Sequence, residues 1–236
     1  AHRGLELFAQ FGPTISAAEF YAIKHDKFYS PATYYVAYLE KIRAQQFADS
    51  LLQRAQQVIA QWDLGTDVAN TSAALGTCVL LAAERQKDRD THDAEQVAKL
   101  LGECAETLLA AQGRLDPPWG EVNRHVRGEV NVPVGGGPDI LRAIYGRGLK
   151  EDGFLTNVAG DGLYYLVAWD ADGQLSVEGV HQFGSATLDE SSQHYSDQAV
   201  DYANEVLHAP LFDEASLQQN LLRAYRPGTE TVSSIR

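Results

Sequence analysis

Serines, histidines and carboxylates crowd between His181 and Gln198: Ser185, Ser191 and Ser192, His181 and His194, Asp189 and Asp197. These are the residue types of nucleophilic acyl transfer, in which serine attacks a carbonyl, histidine takes its proton and a carboxylate orients the histidine. None of the three serines lies in a G-x-S-x-G elbow, the strained turn that exposes such a nucleophile. The reading favoured instead is structural: Ser196 or Asp197 caps the helix that follows, while His194 and Tyr195 pin the loop. Two further patterns imitate chemistry without completing it. Gly135-Gly136-Gly137 is followed by Pro138-Asp139-Ile140, which brings no lysine to a phosphate, so these glycines read as close backbone packing. Asp170-Ala171-Asp172-Gly173 lacks the remaining oxygen ligands and the distal glutamate of a calcium loop, and reads as a hairpin turn. Trp119 in Pro118-Trp119-Gly120 reads as a packing anchor, with a place in a ligand pocket as the alternative. His2, His25, His92, His125 and His208 stand at no metal-ligand spacing. Cys78 and Cys104 share no CxxC; burial as small hydrophobes and a disulfide between neighbouring helices both remain open.

The elements that must position these groups change period along the chain. Ser16 and Glu19 make the S-x-x-E spacing of a capped helix start. Ser30-Pro31 predicts the start of a helix carrying Tyr35, Tyr38, Ile42, Leu52, Ala55, Ile59 and Trp62 on one apolar stripe, ended by Asp63-Leu64-Gly65. Further helices are predicted over 71–87 and 93–112, the second with Val97, Leu100, Leu101, Cys104 and Leu108 on one side. The charged run 85–93 between them reads as a solvated turn, and Gly113 closes the helical half. Four of the eight prolines then fall between Pro117 and Pro138, which predicts a long ordered connection or a boundary.

Beyond it the apolar period becomes two. Tyr164, Leu166 and Ala168 alternate with Tyr165, Val167 and Trp169, so the strand opened by Ala159-Gly160-Asp161-Gly162 is expected to be buried on both faces. A turn at 170–173 leads to a second strand over 174–181. A helix follows over 196–208, then a break at Pro210, a helix from Asp213 to about Tyr225, Pro227-Gly228 and a polar tail. The fold class is α+β, with a helical region 1–113 and a β-rich region 114–236 closed by helices.

Composition narrows the function. With 236 residues and 44% apolar content the chain can bury a sizeable core. A net charge of −13, from 32 acidic and 19 basic residues, argues against nucleic acid and anionic membrane surfaces as partners. No stretch approaches the roughly 18 consecutive apolar residues of a membrane span, and the first residues lack the pattern of a signal peptide. The absence of methionine fits either an excised piece or a trimmed initiator.

Five segments in fixed order carry a resemblance. They are Pro118-Trp119-Gly120-Glu121-Val122, Val134-Gly135-Gly136-Gly137-Pro138-Asp139, the strand opened by Ala159-Gly160-Asp161-Gly162, the 170–173 turn with the 174–181 strand and Gln182-Phe183-Gly184-Ser185-Ala186, and Ser191-Ser192-Gln193-His194-Tyr195-Ser196-Asp197-Gln198; Leu5-Glu6-Leu7-Phe8 with 14–26 adds to them. This order resembles the C-terminal part of the penicillin acylase family, closest to the branch of acyl-homoserine-lactone and aculeacin-type acylases. Gly162 departs from it, since members commonly carry serine there. The resemblance implies an N-terminal-nucleophile hydrolase whose complete fold is a four-layer αββα sandwich, to which this chain contributes. It implies a self-processed precursor in which an N-terminal serine cleaves an acyl group from an amine. That serine and the oxyanion asparagine are expected upstream of Ala1, so no catalytic, cofactor or metal residue is assigned here, and any calcium site belongs elsewhere in the parent. The implied partners are the upstream segments of the same precursor and a small acyl-amide substrate, in the periplasm or outside the cell; alone, the chain is expected to be inactive and to self-associate. The rival readings are an autonomous non-catalytic α+β binding module and a self-contained serine hydrolase.

Overall fold

A computed structural model describes residues 2–221 apart from 87, 147, 150–152 and 187, and of Tyr35 the backbone alone. The chain is α+β: helices fill the first half and every described strand lies in the second. Its contacts divide it into two compact units, Ala1–Val126 with Asn131–Asp161, and Arg127–Val130 with Gly162–Arg236.

In the first unit, α1 (His2–Phe8) precedes α2 (Ala17–Lys24). The latter starts in a capping box, Glu19 N donating to Ser16 Oγ at 3.2 Å and Ser16 N to Glu19 Oε2 at 2.7 Å. The single helix expected from Ser30 to Trp62 is two, α3 (Tyr34–Arg43) and α4 (Ser50–Gln61). Asp49 starts the second by accepting Leu51 N at 2.8 Å and Leu52 N at 3.0 Å. Gln56 Nε2 meanwhile donates to the Ile42 and Gln45 carbonyls, each at 2.8 Å, and satisfies the end of α3. Nor does Ser30-Pro31 begin a helix. Ser30 Oγ accepts Ala32 N at 3.1 Å and donates to Glu6, which makes a turn and leaves Thr33 as the N-cap. The apolar stripe nonetheless survives the break: Tyr38, Ile42, Ala55, Ile59 and Trp62 are all buried.

They pack around α5 (Ala73–Glu84), most of whose residues are buried, and α6 (Ala94–Gln112). The run between these two helices holds a 3₁₀ turn, Arg89–Thr91. Gly113, at φ 71°, ends α6 in the left-handed conformation that favours glycine. Cys78 and Cys104 close a disulfide between α5 and α6 with their Cα atoms 5.9 Å apart, which decides the alternative the sequence left open. A single helical turn, α7 (Trp119–Val122), leads into a four-stranded sheet ordered β2-β1-β4-β3. Its strands are β1 (Asn123–Arg127), β2 (Val130–Pro133), β3 (Ile144–Gly146) and β4 (Leu155–Gly160). The β1/β4 pair is parallel and the β3/β4 pair antiparallel.

The second unit holds a hairpin of β5 (Tyr164–Trp169) and β6 (Leu175–Val180) with α8 (Ala199–Ala203) and α9 (Glu214–Gln219). The 170–173 turn sets the register that pairs Trp169 with Leu175 and Tyr164 with Val180. Burial of β5 on both faces is corrected. Tyr165, Val167 and Trp169 are 51%, 47% and 68% exposed, because the hairpin is a two-stranded sheet with only its other face packed. On that packed side Tyr164 meets the ring of the buried Tyr202 at 6.4 Å. Ala159-Gly160 ends β4 and does not open β5. The helix expected over 196–208 shrinks to α8, since Glu205 turns to φ 63° and His208 pairs its backbone with Gly179 at 2.9 and 2.8 Å. The predicted continuation of α9 toward Tyr225, and Pro227-Gly228 with the tail, lie outside the described residues. No helix among the described residues is long and apolar enough to cross a membrane.

The disulfide closes a loop with a sequence separation of 26. Replacing both cysteines by serine is therefore expected to lower stability by about 3 to 4 kcal/mol. Denaturant unfolding of the wild type under reducing and non-reducing conditions, beside the double variant, checks this; coincident curves contradict it.

Candidate functional site

The polar loop that invites a catalytic reading lies in the second unit, between β6 and α8. His194 Nδ1 is 2.7 Å from Asp197 Oδ2, a charge-assisted geometry. Among the described residues no hydroxyl completes a triad with this pair. The other ring nitrogen, Nε2, faces Gln193 Nε2 at 3.2 Å. Ser191 Oγ donates to Asp189 at 2.6 Å, and Ser192 Oγ accepts the backbone N–H of His194 at 3.1 Å. His181 Nδ1 accepts the backbone N–H groups of Phe183 and Gly184 at 3.1 and 3.2 Å, so its lone pair serves the turn. The loop is further tied by Ala186 N to the His194 carbonyl at 3.0 Å and Gln198 N to the Phe183 carbonyl at 2.8 Å. A Cβ at Gly184 would collide with the His194 carbonyl and the Asp197 carboxylate, so the close approach at this point requires glycine. Arg127 completes the clamp. Its guanidinium lies 3.7 Å from the Tyr195 ring centroid and 4.6 Å from that of Phe183, and its Nε donates to the Tyr195 carbonyl at 3.3 Å.

In the first unit the glycine loop is built into the core. Gly136 N donates to the Thr66 carbonyl at 2.9 Å, and the Gly136 carbonyl accepts Nε1 of the fully buried Trp119 at 2.7 Å. Gly136 sits at φ 113°, where a Cβ would strike the Arg142 carbonyl. Asn123, also buried, donates from Nδ2 to the Val134 and Ile144 carbonyls at 3.0 and 3.3 Å. Trp119 is thus a core anchor with its one donor engaged.

Beside this loop lies a charge cluster with no single sequence motif. Arg142, whose side chain is 0% exposed, places Nη1 3.3 Å from Asp161 Oδ2, and Lys24 Nζ reaches the same oxygen at 2.6 Å. Arg142 N donates to the Asp26 carbonyl at 3.1 Å, and Arg3 grips the Asp26 carboxylate through Nε and Nη2 at 2.9 and 2.7 Å. Gly160, at φ 111°, lets Asp161 N reach the Ala143 carbonyl at 2.5 Å, so the strand end delivers Asp161 to the cations. Burial strongly raises the pKa of the nearby Tyr29 phenol, keeping it protonated.

The remaining candidates are spread apart. Asp170 Oδ1 accepts Asp172 N and Gln174 N at 2.9 and 2.8 Å, an Asx-type turn. His25 Nδ1 faces the Tyr21 carbonyl at 2.9 Å, His92 Nδ1 the Tyr38 hydroxyl at 2.9 Å, and His208 Nε2 the Asp201 carboxylate at 2.9 Å. His125 is buried in β1, and His2 is exposed at the start of α1. Among the described residues no group of His, Cys, Asp and Glu could hold a metal ion. Sequence reasoning missed Arg142, Lys24 and Arg127. The adjacency of Asp161 to a glycine at a strand end was the one available signal for the cluster.

The penicillin amidase family model matches residues 1–219. The chain belongs to the penicillin amidase family. Among matching solved structures is the thermostable penicillin G acylase from Alcaligenes faecalis, 14% identical with a TM-score of 0.47, over 95% of this chain and 51% of that one. The chain therefore spans about half the length of that acylase. No curated relative matches the chain.

Two outcomes follow from these contacts. His194→Ala, which removes the Asp197 contact, is expected to cost about 1 kcal/mol of stability and to leave turnover per folded molecule of the full-length protein nearly unchanged. Unaltered melting with a thousandfold loss of kcat would assign His194 to the chemistry instead. Asp161→Ala, which removes the carboxylate that the buried Arg142 shares with Lys24, is expected to cost about 3 kcal/mol in denaturant unfolding.

Proposed function

We propose that the protein containing this chain is an amide hydrolase that removes an acyl group from an amine. The match of residues 1–219 to the penicillin amidase family carries this reading. We assign it to the acyl-homoserine-lactone and aculeacin-type branch, on the Pro118–Val122, Val134–Asp139 and Ser191–Gln198 segments. The nucleophile would be an N-terminal serine freed by self-processing, its own α-amino group acting as base, so that no histidine is required. Backbone and amide donors would hold the tetrahedral oxyanion. On this reading the serine and the oxyanion asparagine come from residues upstream of Ala1, and the present residues are scaffold. The geometry supports that division of labour, because the serines and histidines of the 181–198 loop are engaged in local turns and clamps.

The disulfide supports an oxidising compartment, so we assign the protein to the periplasm or the extracellular space. The partners would be the upstream segments of the same precursor and a small acyl amide whose acyl group is apolar. The open face of Tyr165, Val167 and Trp169 supports self-association of the isolated chain, since exposed apolar sheet surface promotes contact.

The test is hydrolysis by the full-length protein of matched phenylacetyl, fatty-acyl and glutaryl amides, alongside intact mass and N-terminal sequencing of its chains. Processing that exposes a serine, with faster release of the apolar acyl groups, is expected; the isolated 236-residue chain is expected to be inert. A single unprocessed polypeptide that cleaves none of these amides would favour a non-catalytic binding module. Labelling of the isolated chain by a fluorophosphonate would favour a self-contained serine hydrolase.

A further inference from the structure

The first unit contains a pocket of about 120 Å³ between α5, α6, α7 and the start of β4. Its floor is made by Ala74, Leu108, Val122 and Leu155, all buried, and Leu81 and Ala82 form a partly buried wall. At the mouth stand Arg85, the C-cap of α5, and Thr107, both exposed. The polar side chains of the lining besides Arg85 are two threonines, Thr107 and the buried Thr77. The Thr107 hydroxyl already donates to the Glu103 carbonyl at 2.7 Å, and the sulfur of Cys78, which also lines the pocket, is held in the disulfide. Among the described residues Arg85 is the one charged residue in the lining, and it makes no ion pair there.

This combination selects a ligand by chemistry. Apolar walls favour transfer of methylene groups out of water, and a guanidinium at the rim favours an anion, most of all a carboxylate that its planar fork can grip. An amine-headed ligand would meet repulsion from Arg85 and, among the described lining residues, no acid to pair with. Size sets the tail: a dry apolar cavity of about 150 Å³ accommodates benzene, so the present one suits a chain of about four to six carbons. We propose that this pocket binds a short-chain aliphatic carboxylate, its tail against Leu108, Val122 and Leu155 and its head on Arg85. The inference rests on the pocket alone and stands or falls apart from the acylase reading.

Hexanoate titrated into the full-length protein tests it, with hexan-1-ol, hexylamine and acetate as comparisons and calorimetry as the readout. A ligand this small is expected to bind with a Kd on the order of 1 mM. Arg85→Gln should weaken hexanoate at least about tenfold while leaving hexan-1-ol unchanged. Ala82→Leu, which fills the pocket, should abolish saturable binding of both. Nuclear Overhauser contacts from the hexanoate methyl to the methyls of Leu108 and Val122 in the wild type locate the tail even if the filled variant fails to fold. Absence of saturable hexanoate binding, or of those contacts, would overturn the proposal. Hexan-1-ol or hexylamine binding as tightly as hexanoate would do so too, as would hexanoate binding that Arg85→Gln leaves intact.

Discussion

The fully buried guanidinium of Arg142 places a demand that several segments of the first unit are arranged around. A charge without solvent is tolerated only with a partner of opposite sign and satisfied hydrogen-bonding geometry. Asp161 supplies the opposite charge, and it does so from the end of β4, where Gly160 has no Cβ to strike the Ala143 carbonyl. Lys24 shares the same carboxylate oxygen, which ties α2 to the strand end. The Arg142 backbone meanwhile donates to Asp26, the residue that Arg3 grips from α1. Two helices, a loop and a strand end are thereby fixed through one buried cation.

The Val134–Asp139 loop has to approach this cation closely, which explains its glycines. Gly136 lies against the Arg142 carbonyl on one side and receives the Trp119 indole on the other. Its amide returns to Thr66, so the loop joins the turn after α4 to α7 and to the sheet. Segments far apart in the sequence that look like separate motifs are thus parts of one packed arrangement. A side chain at Gly136 or Gly160 would push backbone against backbone, where nothing can give way cheaply.

In the second unit the groups that resemble catalytic machinery act as fasteners. Asp197 orients His194, but among the described residues no hydroxyl lies on the far ring nitrogen, and Ser191 and Ser192 bind within their own turns. Arg127, stacked on Tyr195 and Phe183, holds the loop by its flat face, a use that a lysine could not reproduce. The outer face of the β5–β6 hairpin stays open in this chain, so the two-sided apolar pattern of β5 marks a surface with more burial capacity than the described residues use.

By itself the sequence determined what short-range chemistry dictates. The Ser16 and Asp93 helix starts, the Gly113 stop, the hairpin turn at 170–173, the α+β order and the family follow from local patterns of a few residues, and the structure contains each of them. The same local rules misjudged the break between α3 and α4, because a stripe at helical spacing continues across 44–49 while Asp49 and Gln56 end one helix and begin another. Periodicity also predicted burial of β5 on both faces, yet burial depends on which layers are present, and apolar residues record only that layers are wanted. The pairing of Cys78 with Cys104 and the meeting of Arg142, Lys24 and Asp161 were decided by tertiary structure alone. Each depends on distances between segments that residue spacing does not encode, set by how the helices and strands pack.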